Sequence, residues 1–169
     1  MTSAAEMTGS SAHNYLIDHS QFDWPALLTE WAWLLPPKLT VWLMNRFGDL
    51  LLVSEDGSVH MLDVGGGSLT RLAEDREDFC RQLDEGDNVN QWLMVRLVDR
   101  VVAAGLRLGP GQCYGYKVPL VLGGDYTVEN TAVRSVTEHI DFCGSLHHQI
   151  ADLPDGAKVV LTVRDGPER

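Results

Sequence analysis

The sharpest candidate for chemistry is a set of three residues of metal-binding type. His139, Cys143 and His147 are spaced four residues apart, so their side chains can lie on one face of a predicted helix. Two imidazoles and a thiolate would suit zinc. Cys143 also belongs to an apolar series typical of a core-facing helix, formed by Ile140, Cys143, Leu146, Ile150 and Leu153. Because no second ligand cluster is present, the sequence favours a core helix over a metal centre.

Other patterns for catalysis or for a cofactor are weak. Gly65-Gly66-Gly67-Ser68 precedes a predicted strand, whereas a phosphate-binding loop needs a following helix. Cys113 is a thiol in a predicted loop, but no Gly-x-Ser-x-Gly elbow or local base marks a nucleophile. We therefore expect a protein that is not an enzyme and that needs no cofactor.

Acidic side chains are the clearest functional feature. Residues 54–88 carry ten acids and three arginines, a local charge of −7, densest from Glu74 to Asp87. Such a surface can dock a basic protein, or it can be a solvated face that aids solubility, and the sequence leaves both open. The candidate contact residues are Glu55, Asp56, Glu74, Glu77, Asp78, Asp84, Glu85 and Asp87.

Composition excludes several classes of partner. The 169 residues have a net charge of −11, which is the wrong sign for direct binding to nucleic acid or to an anionic membrane. No apolar stretch approaches the roughly 20 residues of a membrane helix, and the first residues lack the pattern of a signal peptide. We expect a cytoplasmic protein, and the sequence leaves its oligomeric state open.

Short apolar and alternating runs predict an antiparallel meander that is followed by helices. The predicted strands are residues 39–44, 50–54, 58–64 and 68–72, and the Asp56-Gly57 turn is a strong hairpin signal. The predicted helices are residues 23–35, 75–86, 90–105 and 139–153. Strands first and helices later favour an α+β fold built on a mainly antiparallel twisted sheet.

The remaining segments complete this prediction. Residues 106–126 are rich in Gly and Pro and predict a long ordered loop, while extended signals occur within 128–138 and a last strand is expected at 158–163. A single domain is expected over residues 13–164, between tails at 1–12 and 165–169. Trp31 and Trp33 are too close in sequence to share one helix face, so Trp33 is expected at a rim or an interface.

Two stretches resemble a known family. One joins WLMNRFGDL at residues 42–50, DGSV at 56–59 and LAED at 72–75, leading to Phe79; the other is GQCYGYKVPLVLGG at 111–124. Together they resemble bacterial type VI secretion immunity proteins that inhibit DNase effectors, with the second stretch similar to the C-terminal domain of that family. The first stretch is also loosely similar to the yeast cell-wall-regulator-related immunity superfamily. The resemblance spans about residues 22–164.

The resemblance implies a non-enzymatic cytoplasmic protein that binds and blocks a cognate toxin, with a nuclease as the expected class. The net charge agrees, because a nuclease presents a basic face to its polyanionic substrate and an acidic inhibitor can compete for that face. Within the family motif, Tyr114, Tyr116 and Lys117 are the candidate contact residues.

Two other hypotheses remain open at this point. A small-ligand-binding domain or small enzyme would have a pocket under the 109–124 loop, near Cys113, Tyr114 and Tyr116. A regulatory or scaffold module would share the fold but have no toxin partner.

Overall fold

The centre of the molecule is a four-stranded antiparallel sheet. The computed structural model describes residues 12–161. Strands β1 (Thr40–Met44), β2 (Leu50–Val53), β3 (Val59–Asp63) and β4 (Ser68–Ala73) pair in chain order, each antiparallel to the next. The predicted meander is confirmed, because short apolar runs alternate with turns that reverse the chain.

The β2–β3 turn forms as its sequence predicts. Gly57 adopts φ 88°, a left-handed conformation that residues with a Cβ rarely adopt, and Ser54 and Ser58 close the hairpin with a backbone hydrogen bond of 3.0 Å. Asp56 also accepts a hydrogen bond from the backbone amide of Ser58. The Gly65–Gly67 segment likewise joins β3 to β4 and is followed by a strand, as expected.

Helices and a second, two-stranded sheet complete an α+β fold, as the sequence predicts. The helices are α1 (Trp24–Leu27), α2 (Arg76–Leu83), α3 (Asn88–Leu93), α4 (Val95–Ala103) and α5 (Val136–Ile150). Strands β5 (Gln112–Tyr116) and β6 (Thr131–Ser135) pair antiparallel. Short 3-10 helices cover His13–Tyr15, Thr29–Trp31 and Leu120–Leu122. No helix in residues 12–161 is long and apolar enough to cross a membrane.

Two predicted helices are interrupted. The helix expected over residues 23–35 is the short α1 followed by a 3-10 turn at Thr29–Trp31. The helix expected over 90–105 is divided into α3 and α4 at Met94, which adopts φ 54° and ends the first helix. In both places the apolar side chains keep their contacts with the core while the backbone changes direction.

The C-terminal half differs from the prediction in two further places. The loop expected over 106–126 contains strand β5, because residues 112–116 find a pairing partner in β6 despite Gly115. Residues 158–161 form no strand, so that prediction is wrong for the described part, and residues 162–163 lie outside it. The predicted tails at 1–11 and 165–169 also lie outside the described residues, whereas Ala12 is buried.

The main sheet is covered on both faces. Leu50 and Leu52 point to one face, where they pack with Trp31 and with Ile140 of α5. Leu51 points to the opposite face, which carries Phe79 of α2 and Trp92 of α3. A third cluster packs Phe47 and Tyr114 against α4. Alternation along β2 therefore serves two cores at once, which explains why Leu50–Leu52 are all apolar.

Candidate functional site

Helix α2 displays most of the predicted acidic contact residues. The carboxylate of Asp75 caps the helix by accepting a 2.8 Å hydrogen bond from the amide of Asp78, and Phe79 and Leu83 anchor its inner face. Its outer side and its flanks point to solvent. We call residues 74–87 the acidic surface; its exposed acids are Glu74, Asp75, Glu77, Asp84, Glu85 and Asp87, with Asp78 half-buried.

Arginines neutralise part of this surface. Arg81 contacts Asp78 and lies 3.0 Å from Glu85, and Arg96 lies 2.8 Å from Asp87. Within the described residues, Glu74, Asp75, Glu77 and Asp84 form no ion pair, and the Asp75 carboxylate caps α2. The unpaired negative charge of the acidic surface therefore lies on these four side chains.

The β2–β3 hairpin adds two more predicted contact residues beside the start of α2. Val59 pairs with Ala73, which brings the hairpin tip near Glu74. Glu55 is exposed and lies 3.1 Å from Lys38. Asp56 is exposed too, and hydrogen bonds from the Ser58 side chain and backbone lower its pKa. The strand pairing thus brings together acids that are separated by about twenty residues in the sequence.

The three contact candidates from the family motif have different environments. Tyr114 is buried and its hydroxyl donates a 2.6 Å hydrogen bond to the carbonyl of Leu106, so it is a core residue and is not available to a partner. Tyr116 is half-buried and stacks on Phe47 at 5.6 Å between ring centroids. Lys117 is exposed. Residues 106–126 were predicted to be a loop with accessible side chains, whereas strand β5 buries the three consecutive residues 113–115.

A cavity of about 290 Å³ lies under the predicted 109–124 loop, between that segment and α5. We call it the loop pocket; its lining includes Gly65, Tyr116, Leu120, His139, Cys143 and His147. Burial raises the pKa of Cys143 to about 12 and lowers the pKa of His139 to about 4. At neutral pH the pocket therefore presents a protonated thiol and a neutral imidazole.

The three residues considered for zinc are not arranged as a metal site. Cys143 Sγ lies 3.8 Å from His139 Nδ1, but His147 Nε2 lies 3.1 Å from the carbonyl oxygen of Gly65. Among residues 12–161, no group of three or more His, Cys, Asp or Glu side chains could hold a metal ion. All three face the core or the loop pocket, as the apolar series around Cys143 indicates.

None of the three cysteines has the environment of a nucleophile. Burial raises the pKa of Cys113 far above its usual range, with Asp49 adding to the effect. Cys80 in α2 is half-buried, and burial together with Asp84 raises its pKa as well. Since the thiolate is the reactive form, all three cysteines are poorly suited to covalent catalysis.

Asp49 is a buried carboxylate that sequence reasoning missed. It is 6% exposed, and it accepts hydrogen bonds from the Val64 amide at 2.9 Å and from Asn45 Nδ2 at 3.0 Å. Burial, with a contribution from Asp63, raises its pKa to about 7. The sequence signal was the Phe47-Gly48-Asp49 turn, which identified a chain reversal and gave no indication of burial.

Asp49 opens onto a second concave surface of about 530 Å³. We call it the aspartate cleft; its lining includes Asp49, Asp63, Met94, Arg100, Tyr116 and Tyr126. Asn90 and Arg96 also line it, and Arg96 is paired with Asp87 of the acidic surface. The aspartate cleft and the acidic surface are therefore joined at this ion pair.

The described residues thus combine an α+β fold, an exposed acidic surface and two buried thiols. Residues 73–147 match the family described as T6SS immunity protein Tdi1, C-terminal. The matched segment runs from the end of β4 through most of α5 and includes the whole of α2. The resemblance to type VI secretion immunity proteins is confirmed over residues 73–147.

Comparison with solved structures gives a partial match. The crystal structure of Atu4351 from Agrobacterium tumefaciens aligns with a TM-score of 0.46 and 21% sequence identity, over 63% of this chain and 54% of that one. The chain thus spans about half the length of that protein. No curated protein matches the chain.

Proposed function

We propose that this protein is a non-enzymatic cytoplasmic immunity protein that binds and neutralises a cognate secreted toxin, and that the acidic surface is its contact. The family match over residues 73–147 supports the immunity function. The observation that carries the proposed contact is the group formed by Glu74, Glu77 and Asp84, which are exposed and form no ion pair within residues 12–161.

The expected toxin is a basic protein of the nuclease class. A nuclease attracts a polyanion, so its active face carries positive charge, and a protein of net charge −11 is attracted to that face over several ångströms. Long-range attraction raises the association rate and disfavours acidic competitors. Glu55 and Asp56 extend the proposed contact beyond α2, and Tyr116, which lines the aspartate cleft, and the exposed Lys117 are further candidate contacts. Tyr114 takes no part because it is buried.

The test begins with identification of the partner. The tagged chain is expressed in its native bacterium, and the protein that stays bound through a low-salt wash is identified. A stoichiometric basic nuclease that the purified chain inhibits supports the proposal. Purification of the chain together with an acidic partner, or lack of inhibition of the captured nuclease, contradicts it.

The second step tests the contact. Simultaneous Glu74→Lys, Glu77→Lys and Asp84→Lys substitutions should slow association with the captured toxin by about tenfold at low salt, because steering depends on charge near the contact. The difference should shrink at high salt, where exposed charges are screened. Stopped-flow fluorescence measures the rate.

The matched control carries Asp141→Lys, Asp152→Lys and Asp155→Lys, which reverse three exposed acids within and after α5. Both variants have the same net charge. Equal slowing by the two variants would show that only the total charge matters and would remove the acidic surface from the proposal.

The loop pocket favours a second candidate function, the binding of a small ligand. The cavity lies where such a site would be under the loop, and His139 and Cys143 line it. Native mass spectrometry of the purified chain should then detect a bound molecule of a few hundred daltons. A mass equal to that of the polypeptide alone, before and after incubation with a cell extract, argues against this function.

A further inference from the structure

Two carboxyl groups at the floor of the aspartate cleft have no basic partner in the described part of the chain. Asp49 is almost fully buried, and its two oxygens accept hydrogen bonds from neutral donors, the Val64 amide and the Asn45 side chain. Asp63 is half-buried beside it, with Oδ1 accepting a hydrogen bond from the Gly66 amide. No lysine or arginine within residues 12–161 forms an ion pair with either carboxylate. A cation that enters the cleft would therefore meet two carboxyl groups that have no counter-ion among the described residues, and its positive charge would favour the ionised form of Asp49.

The walls of the cleft suit a cation on an aliphatic stem. The rings of Tyr116 and Tyr126 meet edge to face at 5.7 Å between centroids and 86° between planes. Tyr126 is 52% exposed, so part of its ring is accessible from solvent. Tyrosine faces attract cations, and Met61 and Met94 supply a flexible apolar lining for methylene groups.

The two arginines that line the cleft do not act as counter-ions to Asp49 or Asp63. Arg96 donates two hydrogen bonds to Asp87, at 2.8 and 3.3 Å, which hold its guanidinium group at the acidic surface. Arg100 is exposed and lines the cleft without an ion pair to Asp49 or Asp63. Its positive charge opposes the entry of another cation, so its removal should strengthen binding.

We propose that the aspartate cleft receives a lysine or arginine side chain of the partner protein. Its cationic group lies between the Asp49 and Asp63 carboxylates and the Tyr126 ring, and its stem contacts the methionines. The proposal rests on the toxin-binding function for the identity of the partner. Charge complementarity selects the occupant, since the expected toxin is basic and the Asp87–Arg96 pair joins the cleft to the acidic surface.

The chemistry of the cleft can be tested without any toxin. Uniformly ¹⁵N-labelled protein is titrated with N-acetyl-lysine methylamide and, separately, with N-acetyl-arginine methylamide, while amide shifts of residues 49, 63 and 126 are followed by NMR. N-acetyl-norleucine methylamide has the same stem without the charge and is the matched control. Saturable shifts at these amides with a cationic probe, and none with norleucine, are expected; the tighter probe identifies the preferred side chain.

Variants assign the binding to the named residues. Asp63→Asn should weaken probe binding about fivefold by removing one charge, and Tyr126→Ala about threefold by removing the ring face. Arg100→Ala should strengthen binding about threefold, an opposite sign that a general loss of structure cannot produce. Asp152→Asn removes an exposed charge that does not line the cleft and should leave affinity unchanged.

The binding result for Asp49→Asn is interpreted together with a circular dichroism spectrum, because Asp49 is part of the core and its substitution can disturb folding. The Asp63 and Tyr126 variants test the proposal without changing a buried side chain. Absence of saturable shifts with both cationic probes overturns the proposal, as does equal binding of norleucine. Weaker binding by Arg100→Ala also contradicts it. Each of these results leaves the acidic-surface test unaffected, because that test measures toxin association with the aspartate cleft intact.

Discussion

The backbone of Lys38 adopts a conformation that is unfavourable for a residue with a Cβ. It adopts φ 61°, in the left-handed region where a Cβ approaches the following carbonyl, and it connects Pro37 to the start of the main sheet. The Lys38 side chain contributes little to stability, because its ion pair with Glu55 joins groups that are 71% and 72% exposed. The conformation is therefore imposed by the chain on either side of Lys38.

Glycine at position 38 should give a more stable protein than alanine at the same position. Lys38→Gly should raise the free energy of unfolding by about 1 kcal/mol relative to Lys38→Ala, because only glycine adopts this φ without steric cost. Urea denaturation of both variants measures the difference. Alanine is the control, since it also removes the ion pair but keeps the Cβ; equal midpoints for the two variants would show that the backbone at this position is not strained.

Residue environments were the part of the site that sequence could predict least. The acids of residues 74–87 were placed at the surface, because charged side chains on a short amphipathic helix have no other stable position. Burial of Asp49 and of Tyr114 depends on contacts with distant segments, such as the Val64 amide and the Leu106 carbonyl. No local pattern contains these contacts.

At the scale of the elements, local signals predicted the strands well and the helix interruptions poorly. The meander is bounded by Asp-Gly and glycine-rich turns, whose backbone preferences are visible in the sequence. The break between α3 and α4 occurs at Met94, where no glycine or proline announces it. Strand β5 was missed for the opposite reason, since its glycine-rich surroundings concealed a segment that pairs with β6.

The stacking of two tryptophans follows from one of these interruptions. Trp31 and Trp33 would diverge on a continuous helix, but their rings stack at 6.3 Å because the chain leaves the 3-10 helix between them. Trp33 is half-buried and stacks on His148 of α5 at 5.5 Å. Trp31 donates a 2.9 Å hydrogen bond to the Ile140 carbonyl, which ties the same segment to α5.

The N-cap of α2 gives a prediction at this scale. Asp75→Ala should lower the free energy of unfolding by about 1 kcal/mol, because the amide of Asp78 loses its hydrogen-bond acceptor at the helix start. Asp75→Asn retains an acceptor and should lie close to the wild type. Chemical denaturation measures both variants. A similar loss in the two variants would indicate that the charge of Asp75, rather than its cap, stabilises the helix.

At the scale of the whole molecule, two buried titratable groups act on stability in opposite directions. The folded chain raises the pKa of Asp49 from 3.8 to about 7, so its stabilising contribution is present at low pH and lost as pH rises through that range. Burial lowers the pKa of His139 from 6.5 to about 4, so its contribution is present above pH 6.5 and lost as pH falls. Between about pH 4 and 6.5 the two slopes largely cancel.

Asp49→Asn should reveal how the free energy of unfolding changes with pH as His139 titrates. The free energy of unfolding of this variant should fall by about 2 kcal/mol more than that of the wild type between pH 6.5 and pH 4.5. Urea denaturation at several pH values in this window measures the difference. Asp152→Asn, which alters an exposed acid, should follow the wild type; parallel curves for Asp49→Asn and the wild type would show that Asp49 is ionised throughout.

The sequence predicts those whole-molecule properties that depend on composition and on the order of strands and helices along the chain. The net charge and the succession of strands and helices come directly from the sequence, and the α+β fold follows from that succession. The aspartate cleft could not be predicted, since it joins the β1–β2 turn, β3, α3, α4, β5 and the segment around Tyr126. Six separate parts of the chain meet there, and only the folded structure brings them together.

The unequal burial of the three cysteines gives the protein a native labelling position. Cys113 and Cys143 are enclosed by the core, whereas Cys80 is reached from solvent, although its raised pKa calls for a mildly alkaline reaction. A maleimide dye attached to the folded chain therefore resides on α2, close to Asp84. A fluorescent reporter can therefore be placed within the acidic surface of the wild-type polypeptide without an engineered thiol.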